Sequence, residues 1–449
     1  MATLSRGTGH RQSRLTRRRV LEAGPAGGAA LLAAACGATG GGADAGKSAK
    51  PVKLIWAIYD DPPYLEAQKE GAKRYTERHP SVSFEFSAFT DNAKLITEWL
   101  AGAGSHVAMN YGTPLIESGR QGLVISLDKY LKTSAREVQL DDFVSFQLEA
   151  TQWPSVGRFG LPMYINAYTL FYNKSLFQKK GITPPDNTWD WAKYADGLAR
   201  VTDKDQGVWG GVIVNTQLGM TKVHQNGADI IDPKDDTKCT AGSPGVLEAL
   251  QWIHDRLWKV GGWGQAGVVA AGGFKNTLGM LAGGKLATIE TGSGSLGTMA
   301  KGFPEAQNDW DIAPLPKGKQ RAARASIDSW TVAKVTPDPD AAWDFMKYLQ
   351  GTEWIDLLAT LGGAQPARIS MQDRFVDLMK KSIPSLATKN VAALTAPLKE
   401  KYARPQAIFR KDDDAWKVLK EAWDATMVRN EQPVADAFRD AERRVNAIL

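Results

Sequence analysis

Leu161-Pro162-Met163-Tyr164-Ile165-Asn166-Ala167-Tyr168-Thr169-Leu170-Phe171-Tyr172-Asn173-Lys174 is the stretch on which the reading of this chain turns. It is an extended apolar run that ends on Tyr-Asn-Lys. A short helix with Phe177 and Gly181 follows, then Pro184-Pro185-Asp186-Asn187-Thr188-Trp189-Asp190. Toward the N-terminus, Val52-Lys53-Leu54-Ile55-Trp56 reads as a first strand, residues 64–79 as an amphipathic helix, and Val82-Ser83-Phe84-Glu85-Phe86 as an alternating second strand. Toward the C-terminus come Trp209-Gly210-Gly211, an apolar-periodic helix over 246–258, and residues 274–290 with a Gly283-Gly284-Lys285 turn. Asp311-Ile312-Ala313-Pro314-Leu315-Pro316 and a helix opening at Asp340 within 337–349 complete the series. This order of strands, helices and Gly/Pro punctuation predicts an α/β protein with open sheets flanked by helices.

The first 35 residues stand apart from that pattern. Arg17-Arg18 lie in Thr16-Arg17-Arg18-Arg19-Val20-Leu21, and a mildly apolar stretch runs from Ala23 to Ala35. The run resembles a twin-arginine export signal. The apolar stretch is too short to span a bilayer, which takes about 20 residues. Leu31-Leu32-Ala33-Ala34-Ala35-Cys36 resembles a lipobox, so Cys36 is expected to be acylated and to become the new N-terminus. Ala33 stands where a large aliphatic residue is usual, and plain cleavage beside an incidental cysteine is the alternative. Residues 36–50, rich in Gly, Ala and Ser, read as a flexible tether.

Residues 1–35 carry six arginines and one glutamate, so of the formal charge of +6 only about +1 belongs to the remainder. Such a chain lacks the clustered basic face that nucleic acid requires. With Cys36 acylated, Cys239 has no partner for a disulfide. His79, His106, His224 and His254 show no metal-ligand spacing, so neither a metal nor a cofactor is expected. The roughly 400 remaining residues exceed one ordinary core, which makes two lobes the default.

The spaced pattern from Leu161 to Asp190, with the later pieces in the same order, resembles the extracellular solute-binding proteins of sugar-importing ABC transporters, the family that includes maltose-binding protein. The resemblance covers residues 51–449. It implies a two-lobed periplasmic-binding-protein-like fold (type II) with a ligand cleft between lobes joined by three crossing segments. Placed on this sequence, the crossings fall near 163–168, 310–315 and 337–340. One lobe is then 51–164 with 313–337, and the other 168–310 with 340–449. The implied function is a monomeric, non-enzymatic receptor that closes on a carbohydrate and delivers it to the ABC permease transmembrane subunits. Its only hold on the membrane is the N-terminal lipid.

Candidate ligand contacts follow from position, since ligands of open α/β sheets lie beyond the carboxyl ends of strands. Tyr59 and Asp60 follow the first strand, with capping of the helix near Pro62 as an alternative for Asp60, and Tyr111 follows Val107-Ala108-Met109. Tyr164 and Asn166 lie on the first crossing, where they either face the cleft or pack the hinge. Gly292 and Ser293 end a strand-like run and offer backbone amides. Asp328 and Trp330 end another extended run, and Gln365 and Arg368 lie in a turn that the resemblance associates with ligand contacts. Family members commonly carry a glycine pair where Asp328-Ser329 stands. An acid there suits hydroxyl-rich or cationic ligands.

The 15 tryptophans offer flat faces for sugar rings, although Trp191, Trp252, Trp258, Trp343 and Trp354 lie in helical patterns that suit a core. Gly292, Gly294 and Gly297 also satisfy G-x-G-x-x-G, which raises an exported NAD(P)-dependent oxidoreductase as an alternative. That motif has weight only in a βαβ unit with an acid at the end of a second strand, and Asp309 and Asp311 sit before or within one. The adjacent pairs Asp60-Asp61, Asp141-Asp142 and Asp235-Asp236 suit turns better than the facing carboxylates of a glycosidase. Other polar solutes, such as glycerophosphodiesters or quaternary amines, remain open as cargo of the same receptor.

Overall fold

A computed structural model describes residues 50–213, 216–264, 273–306 and 309–449. The export signal, Cys36 and the tether up to residue 49 lie outside the described residues. The first lobe is built on a five-stranded sheet in the order Val82–Phe89, Val52–Tyr59, Val107–Tyr111, Asp328–Val332, Gly160–Pro162. The first three strands are parallel, and Asp328–Val332 runs antiparallel to both its neighbours. The consequence is geometric. Tyr59 and Tyr111 end their strands at the edge where Asp328, paired with Tyr111, begins its own.

Strand Val52–Tyr59 is buried on both faces at Trp56, Ala57 and Ile58, as parallel strands sandwiched by helices must be. Trp56 packs against Trp330 at 5.9 Å and Trp354 at 5.1 Å between ring centroids. Helix Pro62–Arg78 approaches closely enough that a Cβ on Gly71 would lie 2.6 Å from the Trp354 ring. Only glycine leaves room for that ring.

The second lobe centres on Thr169–Asn173, buried at every residue and paired antiparallel with Thr288–Thr291 on one side and Trp310–Ala313 on the other. The motif that opened the sequence reading has a folding explanation here. Asn173 accepts a hydrogen bond from the Leu176 amide at 3.0 Å, capping the short helix Lys174–Lys179, and its Nδ2 donates to the Leu281 carbonyl at 2.8 Å. Asp190 caps helix Trp191–Val201 through the Lys193 amide at 2.8 Å, and Trp189 packs over Gly197 and against Phe177. Tyr-Asn-Lys and Thr-Trp-Asp are thus helix starts and core anchors.

Three crossing segments lie side by side. The first runs over 163–168, with the Met163 amide donating to the Asp328 carbonyl, Ile165 to Gln365 and Tyr168 to Arg324 at 2.9–3.0 Å. Those partners locate the other two crossings near 324–328 and 364–368, and both differ from the sequence expectation. Trp310–Ala313 is a strand of the second lobe's sheet, and Ala313, Leu315 and Ala323 pack in that lobe's core, so the chain crosses only after Ala325. Helices Pro339–Leu349 and Thr352–Gly362 deliver Trp343, Phe345 and Trp354 into the first lobe's core. The chain returns to the second lobe with Phe375 and Met379. By packing, residues 327–367 therefore accompany the first sheet, in place of 313–337. A proline-punctuated extended run looks the same whether it crosses between lobes or lines one.

Candidate functional site

A cavity of about 560 Å³ opens between the lobes. Asp61, Pro63 and the end of helix Thr352–Gly362 line it from the first lobe, and Gly294, Thr298 and Lys301 line it from the second. Tyr64 packs against Gly362, one of the residues lining the cavity. Its ring lies 6.3 Å from Tyr164, and a Cβ on Gly362 would come within 3.4 Å of it. Tyr59, Tyr64, Tyr111 and Tyr164 are all partly exposed and belong to four different segments, which meet at the strand-end edge.

Beneath these phenols lies Asp328, 3% exposed. Burial pushes its carboxyl up to about 7, against the opposing pull of the Ser326 and Tyr164 hydroxyls and of Arg324. Oδ2 has no hydrogen-bond partner. Burial, with the Asp328 charge second, holds the Tyr164 and Tyr64 phenols well above their ordinary range. Tyr111 rises to about 12, first through burial and then through Tyr59, Asp91 and Asp328. Asp61 is also raised, by burial and by the neighbouring Asp60.

Across the cleft, Asn166 ties the first crossing to the glycine turn. Its Oδ1 accepts from the Gly294 amide at 3.3 Å and faces the Ser293 hydroxyl at 3.5 Å. A Cβ on Gly292 would fall 2.2 Å from that oxygen, so close approach demands glycine. Arg324, 9% exposed, donates to Gln217 and Gln406 at 3.0 Å each and stacks 5.2 Å from the Tyr168 ring. Among the described residues no group of His, Cys, Asp and Glu is placed to hold a metal, and no helix is long and apolar enough to cross a membrane.

The sequence profile for bacterial extracellular solute-binding proteins matches residues 61–355. The chain belongs to that family. This solute-binding protein is 24% identical over 431 residues to a binding protein of Brucella abortus, covering 91% of this chain and 94% of the relative. To the arabinooligosaccharide-binding protein of Bacillus subtilis it is 23% identical over 337 residues, 72% of this chain and 74% of the other. An ABC substrate-binding protein of Listeria monocytogenes, solved in complex with cycloalternan, superposes with a TM-score of 0.74 at 17% identity. The match spans 88% of this chain and 98% of the other, and it establishes the two-lobed fold.

Of the residues anticipated from the sequence of this solute-binding protein, the fold brings Tyr59, Tyr111, Tyr164 and Asp328 together at the sheet edge. Asp60 is exposed beside them, while the helix-capping position falls to Asp61, whose side chain makes no capping bond. Gly292 and Ser293 are buried under Asn166, so the exposed Gly294 carries the turn's contact with the cavity.

Three anticipated contacts belong elsewhere. Trp330 is fully buried in the first lobe's core, between Trp56 and Trp354. Gln365, also fully buried, donates to Gln372 at 2.8 Å and to the Leu394 carbonyl at 3.0 Å. Arg368 is consumed by Asp142, the Val138 carbonyl and the Phe143 ring face. These last two side chains anchor the third crossing. Sequence reasoning missed Tyr64 and Lys301; Tyr64 was within reach as the first aromatic residue after the first strand's end, whereas nothing local marks Lys301. The glycine fingerprint at 292–297 follows a strand that pairs antiparallel, not a parallel βαβ unit, so the dinucleotide alternative loses its structural context.

Proposed function

We propose that this chain is the substrate-binding protein of an ABC importer, capturing a mono- or oligosaccharide by lobe closure and delivering it to the permease. The observation that carries this reading is the interlobe cavity, beside which four partly exposed tyrosines gather over a buried acid at the first lobe's strand-end edge. Phenol faces suit the C–H surfaces of pyranose rings, their hydroxyls suit sugar oxygens, and the Asp61 carboxylate suits a sugar hydroxyl as acceptor. A ligand touching both lobes favours the closed state, and that state is the form a permease distinguishes. The Bacillus relative's arabinooligosaccharide cargo supports the same class.

In this reading the receptor is a non-enzymatic monomer without cofactor or nucleic-acid partner. It leaves the cytoplasm by the twin-arginine route and is held by lipid on Cys36; Cys36→Ser would release it from the membrane fraction. A quaternary amine is the second candidate cargo, because tyrosines beside Asp61 and Asp328 also suit a cation. The test is a thermal-shift panel of L-arabinotriose, maltotriose, D-tagatose, erythritol, glycerophosphocholine, glycine betaine and NAD. A ligand at 100 times its Kd stabilises the fold by about 2.7 kcal/mol. A saccharide hit without turnover supports the receptor, and a shift with NAD alone would overturn it.

A further inference from the structure

Asp328 is an unusual group to find under a sugar cleft. It is 3% exposed, its Oδ2 lacks any partner, and the groups around it are Tyr164 on the first crossing, Tyr64 on the first helix and Tyr111 on the paired strand. Ser326 and Tyr164 offer it hydroxyls, and Arg324 is the cation that faces it. That guanidinium is already committed to Gln217 and Gln406, and among the described residues it forms no ion pair with Asp328. Tyr64, for its part, feels the negative charge of both Asp328 and Asp61. An anion here is thus buried without an adequate counter-charge.

We propose that Asp328 selects for an uncharged ligand: as the neutral acid it frees the Tyr164 O–H to donate into the cleft, and closure over a polyol takes up one proton. This rests on the receptor reading above. As a carboxylate, Asp328 accepts the Tyr164 O–H, and the phenol then presents only lone pairs to a ligand. As an acid, it donates its own O–H to the phenol oxygen, and the phenol hydrogen turns toward the ligand. Closure strips solvent from Tyr64, Tyr111 and Tyr164, which are partly exposed here, and a neutral polyol brings no charge in exchange. Desolvation without compensation favours the neutral carboxyl, and the proton comes from the buffer. Burial already places the carboxyl's titration near neutrality, where such a shift is measurable. Asp328 therefore acts through Tyr164 as a positioning residue.

The test is titration calorimetry of the full chain with L-arabinotriose, maltotriose, D-tagatose and erythritol at about pH 6, 7 and 8. Phosphate and Tris buffers, which differ in ionisation enthalpy, report the protons exchanged. The expected result is proton uptake that rises from a small fraction per saccharide at about pH 6, where the free carboxyl is already mostly protonated, to about half at pH 7 and toward one at pH 8, with affinity falling by up to about tenfold from pH 7 to 8. Asp328→Asn is expected to bind with affinity constant to about twofold across that range, and Tyr164→Phe to bind more weakly while keeping the uptake. Binding with no proton exchange, or with release, overturns the proposal, as does wild-type pH dependence in Asp328→Asn. Should that variant fail to fold, the wild-type proton count decides alone. If none of the four saccharides binds at any pH, the receptor reading falls and this inference falls with it, an outcome distinct from binding without protons.

Discussion

Arg120 of the first lobe forms an ion pair with Asp236 of the second, and the same guanidinium donates to the Arg410 carbonyl at 3.0 Å. Thr113, on the same helix Gly112–Arg120, hydrogen-bonds Asp412. Arg410 also pairs with Asp236 at 2.9 Å. Arg120 is 12% and Asp236 31% exposed at the side chain, so their attraction is only partly screened by solvent.

A bridge between lobes biases the hinge toward the conformation that contains it. Arg120→Ala is expected to lower saccharide affinity by about fivefold, the equivalent of about 1 kcal/mol, and to enlarge the ligand-free particle in small-angle scattering. The affinity difference should shrink at high salt. An unchanged scattering profile and affinity would show that the bridge is equally present in open and closed forms.

Trp330→Ala is predicted to act on stability, not on ligand contact. The indole is fully buried and wedged between Trp56 and Trp354, so truncation leaves a large cavity that those rings cannot fill. The expected loss is about 3–5 kcal/mol in urea unfolding, with saccharide affinity of the folded fraction little changed. A stable variant with lost binding would return Trp330 to the cleft.

The history of that residue indicates what the sequence can and cannot reveal. Strand alternation puts Asp328 and Trp330 on one face, but they lie two residues apart, and that step separates the solvent edge of the sheet from its helix-covered interior. No local pattern marks where the cover begins. Helices 339–349 and 352–362 show the same limit: their apolar faces announced that Trp343 and Trp354 are core residues, yet an apolar face does not say which sheet it covers. By contrast, the strand around Thr169–Asn173 was legible as an extended apolar run ending on Tyr-Asn-Lys before a short helix, because that strand-to-helix change is a local pattern, whereas the Asn173 cap emerges only from the fold. Tyr59 and Tyr111 were legible as residues at strand ends, and Tyr164 as a residue of the first crossing. Lys301 reaches the cavity through the packing of its whole lobe and has no signature of its own.

Stability should depend on Asp328 through pH. Burial raises its carboxyl from the ordinary carboxylate range to about 7, so the native state binds this proton more tightly than the unfolded chain does. The contribution is fully present below about pH 4 and is lost as pH rises through about 7. Relative to Asp328→Asn, the wild-type protein is expected to lose a few kcal/mol of unfolding free energy between pH 4 and 8. A difference independent of pH across that window would mean the carboxyl titrates normally. The comparison needs no ligand, so it is independent of the cargo's identity.

Lys222 and Glu290 form a buried ion pair beneath the second-lobe side of the cleft, with side-chain exposures of 0% and 6%. Lys222 comes from helix Thr216–Gln225, and Glu290 from the strand Thr288–Thr291 that leads directly into the Gly292 turn. The pair therefore pins the strand that presents Gly294 to the cavity. Removing one partner leaves an uncompensated charge in a dry site, so Glu290→Leu alone is expected to cost about 3–5 kcal/mol. Lys222→Met combined with Glu290→Leu removes both charges and should recover most of that loss, because the pair's attraction is largely spent on its own desolvation. Urea unfolding of the two single variants and the double variant measures the coupling. Saccharide titration of the double variant then separates structure from function. If stability returns but affinity does not, the ion pair fixes the orientation of the Gly292–Gly294 turn; if both return, it serves the core alone.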